Sequence, residues 1–271
     1  MMAIKLVAID LDDTLLGTDL KISDGAVRSI RELRERGIWI TLATGRMFRS
    51  ARPYALELGM DVPLITYQGA LVKNAVSDQV LFHRPVPEPW GHAVGEAARE
   101  AGCFYQAYFD DNLYMERLTS EGEAYANMAG VTPVIEPDLL GRIKEQEPTK
   151  LLIINNDIPQ LQQMEMQMRR SFGDRLYITR SKPYYLEFMN TEATKGRALK
   201  VVSEYFGVDR LEVMAIGDSF NDIEMLKFAG LAVVMGNAPQ KVKRYADYVT
   251  ESNDEDGVAM AIQRLVLENG V

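Results

Sequence analysis

Residues 4–14 read Ile4-Lys5-Leu6-Val7-Ala8-Ile9-Asp10-Leu11-Asp12-Asp13-Thr14. The run 4–9 is short, apolar and rich in branched side chains, and a turn-like acidic cluster follows it, which predicts a strand buried on both faces. Beyond the cluster, Ser23 stands where a helix N-cap belongs, Val27, Ile30 and Leu33 follow at helical spacing, and Gly37 sits at the C-terminal cap. A second apolar run, 38–43, ends at Thr44-Gly45-Arg46, and a third, 63–66, ends near Gln68-Gly69. This β-α-β-α-β order is the pattern of a parallel sheet with covering helices.

The same grammar returns near the C-terminus: strand 211–216, helix 220–228, strand 231–235, helix 238–245, a strand at Tyr248 and a helix over 255–267. The stretch between reads differently. Helices over 88–101, 120–129 and 159–172 alternate with strands over 103–108, 151–155, 176–179 and 184–188, enough chain for a small core of its own. The expected architecture is therefore α/β: residues 1–84 and 190–271 form a discontinuous core, and 85–189 form an inserted α+β domain. The hinges fall near His83-Arg84 and Asn190-Thr191. Within the insert, Met164 and Met168 are four apart and predict a helix face packed on a sheet.

Composition limits the function. With 39 acidic against 30 basic side chains in 271 residues, the net charge of -9 repels a phosphate backbone and argues against nonspecific nucleic-acid binding. Small molecules and cations are the expected partners, with no obligate protein partner evident. The single cysteine, Cys103, excludes an intrachain disulfide and points to a reducing compartment. The apolar residues after Met1–Lys5 are too few for a signal-peptide core, and no later apolar run approaches the ~18 residues of a membrane span. The expectation is a soluble cytoplasmic protein.

In an open parallel sheet, ligands bind outside the carboxyl ends of the strands. Three such ends carry polar clusters: Asp10–Thr14, Thr44-Gly45-Arg46, and Gly217-Asp218-Ser219-Phe220-Asn221-Asp222. Carboxylates crowded at one sheet edge suit a hard divalent cation with oxygen ligands, and Mg²⁺ is the expected one, held by Asp10 and Asp218 with the backbone carbonyl of Asp12. His83, His92 and Cys103 are too few and too scattered for zinc. Taken singly, each cluster has a plainer alternative. Asp12-Asp13-Thr14 reads equally as a turn, Thr44-Gly45 as a strand stop, Thr194 as a helix cap with Lys195 in the exposed first turn, and Gly217–Asp222 as an acidic loop favouring a helix N-terminus.

Together the clusters are specific. Asp10-Leu11-Asp12-Asp13-Thr14 resembles the DxDxT signature of the haloacid dehalogenase (HAD) superfamily. Thr44 resembles its second motif, Lys195 in Thr194-Lys195-Gly196 the third, and Gly217–Asp222 the GDxxND of the fourth, all in family order. The large insertion between the second and third motifs, with Leu42-Ala43-Thr44-Gly45-Arg46, is similar to the Cof-type subfamily of sugar-phosphate and related phosphatases. The resemblance implies a Rossmann-like core with an α+β cap. It makes Asp10 the nucleophile that forms an aspartyl-phosphate and Asp12 the general acid-base. Thr44, Lys195 and the backbone N–H groups of Leu11 and Gly45 would bind phosphate, and Asp218 would be a metal ligand. Asn221 would contact phosphate or orient Asp10, and Asp222 would ligate or support the metal.

Two positions depart from the pattern. Gln68-Gly69-Ala70 stands where relatives often have Asn-Gly-Ala, which puts substrate inference in doubt, and Asp13 stands where many have Gly and receives no catalytic role. Near the return hinge, Arg180, Lys182, Tyr184 and Tyr185 are candidates to meet a phosphorylated sugar or an aromatic ring, but a surface loop followed by an ordinary strand is the favoured reading of them. The reading is a Mg²⁺-dependent phosphatase of small phosphomonoesters such as sugar phosphates, nucleotides or cofactor phosphates. A sugar-phosphate phosphomutase and a noncatalytic phospho-accepting module are the alternatives. A dehydrogenase is disfavoured because no Gly-x-Gly-x-x-Gly follows the first strand.

Overall fold

The computed structural model describes residues 3–268. The remaining residues, on which part of the N-terminal leader reading and the outer domain limits fall, lie outside it. The chain divides into two compact units, Met1–Thr44 with Ala51–Phe82 and Thr194–Val271, and Gly45–Ser50 with His83–Ala193. The crossings at Phe82-His83 and Ala193-Thr194 lie near, not at, the expected 84/85 and 189/190 limits, and Gly45–Ser50 groups with the insert. Among the described residues no helix is long and apolar enough to cross a membrane.

The strands run in chain order as β1 (Leu6–Asp10), β2 (Trp39–Ala43), β3 (Pro63–Thr66), β4 (Leu71–Asn74), β5 (Val80–His83), β6 (Phe104–Phe109), β7 (Asn112–Met115), β8 (Val134–Ile135), β9 (Lys150–Ile154), β10 (Leu176–Thr179), β11 (Tyr185–Asn190), β12 (Val213–Gly217), β13 (Leu231–Val234) and β14 (Tyr248–Val249). The core sheet has the order β14-β13-β12-β1-β2-β3-β4-β5. From β14 to β3 every neighbouring pair is parallel, but β4 returns antiparallel to β3. The expected parallel-sheet core is present, and β4 adds an antiparallel strand to it. Only the tight turn Tyr67–Gly69 and Ala70 separate β3 from β4, too little chain for a parallel crossover, so the strand folds back as a hairpin.

The central strand β1 is buried along its whole length, as an apolar run covered on both faces requires. Leu6 and Ala8 share a core with Val213, Ala215, Leu199 and Val202, and each large aliphatic side chain so buried contributes roughly 1.5–3 kcal/mol. Ser23 caps the helix Asp24–Glu35, its Oγ accepting from the Ala26 N–H at 3.0 Å, and Gly37 follows at φ +76. The two C-terminal helices begin later than their sequence patterns suggest. Pro239 precedes the first turn of one and restricts it to Gln240–Lys243. Asp256, at φ +58, delays the other to Gly257–Ile262, which then continues as a wider turn over Gln263–Leu267.

The insert holds a six-stranded sheet in the order β10-β11-β9-β6-β7-β8, antiparallel except for β7 with β8. One face packs against helices that include Glu88–Glu100 and Ile158–Phe172. Met164 and Met168 enter that apolar cluster while Met166 is exposed, the outcome the four-residue spacing predicts. Strands β7 and β8 and the helix Leu139–Glu145 are not legible in the sequence, because each is short and lacks a sustained periodic pattern.

Candidate active site

Asp10 ends β1, and Gly217 ends the adjacent parallel strand β12, with Ile9 opposite Ile216. The third contributor is the helix Lys195–Phe206, capped by Thr194, whose Oγ1 accepts from the Arg197 N–H at 3.2 Å. That cap sets the first residue of the helix, and Lys195 turns inward rather than to solvent. Its Nζ donates to Asp10 Oδ1 at 2.5 Å and to Asp222 Oδ1 at 2.6 Å, with all three residues buried. The plainer alternative of an exposed Lys195 is thereby excluded.

Asp222 is engaged on both oxygens, for its Oδ2 accepts the backbone N–H groups of Asp218 (3.0 Å) and Ser219 (2.9 Å). It folds the loop after β12 back on the strand end so closely that a Cβ at Gly217 would lie 2.6 Å from the Asp222 carboxyl carbon. Asp218 receives the Thr14 hydroxyl at 3.1 Å. Carboxylate oxygens of Asp10, Asp218 and Asp222 lie within 4.8 Å of one another.

The turn after β1 places the remaining acidic residues. Leu11 is fully buried, Asp12 is half-buried, and Asp13 is exposed in the left-handed region at φ +59, a conformation that glycine adopts without penalty. The Asp13 carbonyl is held by the Asn237 side-chain amide at 2.8 Å. The Asp12 carboxylate is not a member of the buried carboxylate cluster. Thr44 is buried at the end of β2, its N–H donating to the Ile65 carbonyl at 2.8 Å and its carbonyl accepting from Gln68 N–H at 3.0 Å. Gly45 groups with the insert, where Lys150 Nζ donates to its carbonyl at 3.3 Å.

Among the described residues Asn221 makes no hydrogen bond to Asp10. Its Nδ2 donates to Gln68 Oε1 at 2.9 Å, and its own Oδ1 is buried without a hydrogen-bond partner among the described residues. Sequence reasoning gives no site role to Thr14, Gln68 or Gly69. Thr14 stands inside the first motif and Gln68 at a departure from the family pattern, so both carry a signal. Gly69, at φ +102, lies where a Cβ would sit 2.3 Å from the Thr194 carbonyl oxygen, so this glycine lets the β3–β4 turn reach the cap that aims Lys195.

Charge defines what the arrangement can do. Three carboxylates, if all ionised, would leave two negative charges unmatched by the one ammonium in a buried site. Burial, reinforced by Asp222, holds the Asp10 carboxyl well above the usual carboxylate range, although Lys195 opposes this. Burial and then Asp222 push Asp218 up to about 7. Burial opposes the charge on Lys195, but the Asp10 and Asp222 carboxylates outweigh it and raise the ammonium above its ordinary value. Uncompensated buried charge is costly. A hard cation with oxygen ligands relieves it, so the donor set fits Mg²⁺.

Residues 7–262 match the haloacid dehalogenase-like hydrolases. The chain is 33% identical over 272 residues to the 5-amino-6-(5-phospho-D-ribitylamino)uracil phosphatase YcsE of Bacillus subtilis, covering 97% of this chain and 96% of that protein. Among solved structures it is similar to a haloacid dehalogenase-like hydrolase of Bacteroides thetaiotaomicron, with a TM-score of 0.88, 33% identity, and coverage of 97% and 99%. It is also similar to BT1666, a phosphatase of that superfamily from the same organism, with a TM-score of 0.81, 27% identity, and coverage of 96% and 94%. The chain belongs to the HAD superfamily, in its Cof-type branch, and is an enzyme of the HAD-type phosphomonoester hydrolases.

Proposed function

We propose that the protein hydrolyses small phosphomonoesters by way of an aspartyl-phosphate on Asp10, with Mg²⁺ as cofactor. The observation that carries this reading is the buried Lys195 ammonium bridging Asp10 and Asp222 at the carboxyl ends of β1 and β12. In the first half-reaction an Asp10 oxygen attacks phosphorus in line, and the bond from phosphorus to the leaving oxygen breaks. Asp12, two residues on and outside the buried cluster, gives that oxygen its proton. In the second half Asp12 takes a proton from water, the water oxygen bonds to phosphorus, and the bond to Asp10 breaks, releasing phosphate and the free carboxylate.

Phosphoryl transfer asks the protein mainly for positioning and charge neutralisation. Lys195 orients Asp10 and presents positive charge beside it, while Thr44 and the N–H groups of Leu11 and Gly45 are assigned to the phosphate oxygens. Mg²⁺, held by Asp10, Asp218 and the Asp12 carbonyl, would offset the negative charge of the phosphate and of the carboxylates together. With one oxygen on Lys195 and the other on two amides, Asp222 is assigned to positioning Lys195 and the loop of Asp218. Asn221 is assigned to phosphate or substrate through its unpartnered Oδ1 side. A cytoplasmic setting belongs to the same reading, on the strength of the single buried thiol Cys103. The test is phosphate release from a panel of sugar phosphates, nucleotides, flavin mononucleotide and pyridoxal phosphate, with Mg²⁺ and with chelator, beside Asp10→Asn. Release that needs both Mg²⁺ and Asp10 supports the reading, and no release from folded, Mg²⁺-supplied protein contradicts it.

A further inference from the structure

Two loops that carry none of the sequence motifs grip the turn after β1. Strands β12, β13 and β14 run parallel to β1, so the chain leaves all four at the same edge of the core sheet. From the loop after β13, Asn237 Nδ2 donates to the Asp13 carbonyl at 2.8 Å. From the loop after β14, Asn253 Nδ2 donates to the Leu16 carbonyl at 3.0 Å, and Asp254 Oδ1 accepts the Thr18 N–H at 2.9 Å. The loops also hold each other. The Asn253 N–H donates to Asn237 Oδ1 at 3.1 Å, and the Gly236 N–H donates to the Glu251 carbonyl at 3.0 Å.

These bonds bear on Asp12, which stands directly before the gripped residues. Asp12 is extended, with φ -78 and ψ 131, and Asp13 is left-handed, with φ +59 and ψ 12. That change of backbone direction between consecutive residues sets where the Asp12 carboxyl projects. A non-glycine residue stays in the left-handed region only where its surroundings hold it there. The Asn237 amide does so at the Asp13 carbonyl, and the Thr14 hydroxyl, donating to Asp218 Oδ1 at 3.1 Å, does so one residue further on. Asp13 and Asn237 are both exposed. Water can therefore replace their bond at little cost to folding, but water does not fix the direction of the carbonyl.

We propose, resting on the phosphatase reading above, that Asn237, steadied by Asn253, is a positioning residue for the acid-base step. By holding the Asp13 carbonyl it keeps the Asp12 carboxyl within reach of the leaving oxygen and then of the attacking water. The proton of Asp12 passes to the leaving oxygen as the bond from phosphorus to that oxygen breaks. The Asp12 carboxylate then takes a proton from water as the water oxygen bonds to phosphorus and the bond to Asp10 breaks. Both transfers need the carboxyl at hydrogen-bond distance, so a small displacement of the turn slows them without unfolding the protein.

The test compares phenyl phosphate, whose leaving oxygen needs a proton, with 2,4-dinitrophenyl phosphate, whose leaving oxygen does not. We measure kcat, KM and melting temperature in Mg²⁺ for wild type, Asn237→Ala, Asp12→Asn and the double variant. Asn237→Ala should lower kcat/KM about tenfold for phenyl phosphate and less than about threefold for the dinitrophenyl ester. With the latter ester kcat and KM should fall together, because breakdown of the acyl phosphate, which uses Asp12 as base, becomes limiting. Melting temperature should fall by no more than about 3 °C. In the Asp12→Asn background the same substitution should change the phenyl phosphate rate less than about twofold, since Asn237 acts through Asp12. Should Asn237→Ala not fold, Asn237→Asp carries the same comparison, for it keeps the acceptor for the Asn253 N–H and loses the donor to Asp13. An equal loss with both esters, no change with either, or a loss that adds in full to that of Asp12→Asn overturns the proposal. Asp12→Asn that slows both esters alike overturns the acid-base assignment and the proposal with it. A folded wild type that turns over neither ester overturns the phosphatase reading itself.

Discussion

Two buried lysines sit in this molecule, and their surroundings differ in one decisive respect. Lys195, in the discontinuous core, faces Asp10 and Asp222 with Asp218 close by. Lys150, on the insert's sheet, faces Glu187 alone among carboxylates within ion-pair range in the described residues. Burial is equally complete at both, so desolvation does not distinguish them. The balance of charge does. Three carboxylates around one ammonium make a donor set that suits a hard cation.

The largest effect expected from this contrast comes from Asp10→Asn. Turnover should fall by at least about 10⁴-fold while circular dichroism stays that of the folded protein, because the amide neither attacks phosphorus nor carries the charge that Lys195 requires. Next is Lys195→Met, which leaves three carboxylates with no buried counter-charge. It should cost roughly 3–5 kcal/mol in urea denaturation as well as activity. In the insert, by contrast, removing both partners in Lys150→Met/Glu187→Leu should leave stability within about 1 kcal/mol of wild type or above it. An equal loss in the two experiments would erase the distinction between the lysines.

Mg²⁺ provides a third probe. At a free concentration a hundredfold above Kd it should stabilise by about 2.7 kcal/mol, or several degrees in melting temperature, and the gain should vanish with chelator and shrink in Asp218→Asn. The smallest effect comes from His83, the last residue of β5. His83 Nε2 lies 2.9 Å from Thr149 Oγ1, and desolvation lowers its pKa although the residue keeps solvent exposure. The unfolded chain therefore takes up a proton that the folded chain resists. The contribution of His83 is intact above about pH 6.5 and is lost as pH falls below it. Urea midpoints between pH 8 and 5.5 should fall less in His83→Asn than in wild type.

The site is legible in the sequence because its motifs stand at strand ends, where short apolar runs stop abruptly at Asp10, Thr44 and Gly217. Local signals suffice there. The turn that carries Asp13 at φ +59 and the hairpin of β3 and β4 are less legible, since a left-handed aspartate or glutamine has no pattern signature beyond a nearby glycine. The partners of Lys195 and Asn221 are out of reach for another reason. Asp10 and Lys195 are 185 residues apart, and Gln68 and Asn221 are 153 apart, so only the closed sheet tells which side chains meet. The polar face of the insert is the least legible. Arg180, Lys182, Tyr184 and Tyr185 draw attention as a polar cluster in sequence, whereas Gln106, Lys150 and Glu187 come from three different strands and become neighbours only through register.

Every role assigned around Lys195 depends on Asp10 bonding to phosphorus during turnover. The direct measurement is rapid acid quench of the Mg²⁺-loaded enzyme during hydrolysis, borohydride reduction of any acyl phosphate, and peptide mass mapping, in wild type and in Asp12→Asn. Reduced Asp10 that accumulates further in Asp12→Asn, where breakdown has lost its base, is the predicted result. Sustained hydrolysis with Asp10 unmodified in both proteins, or the label on another residue, would contradict it.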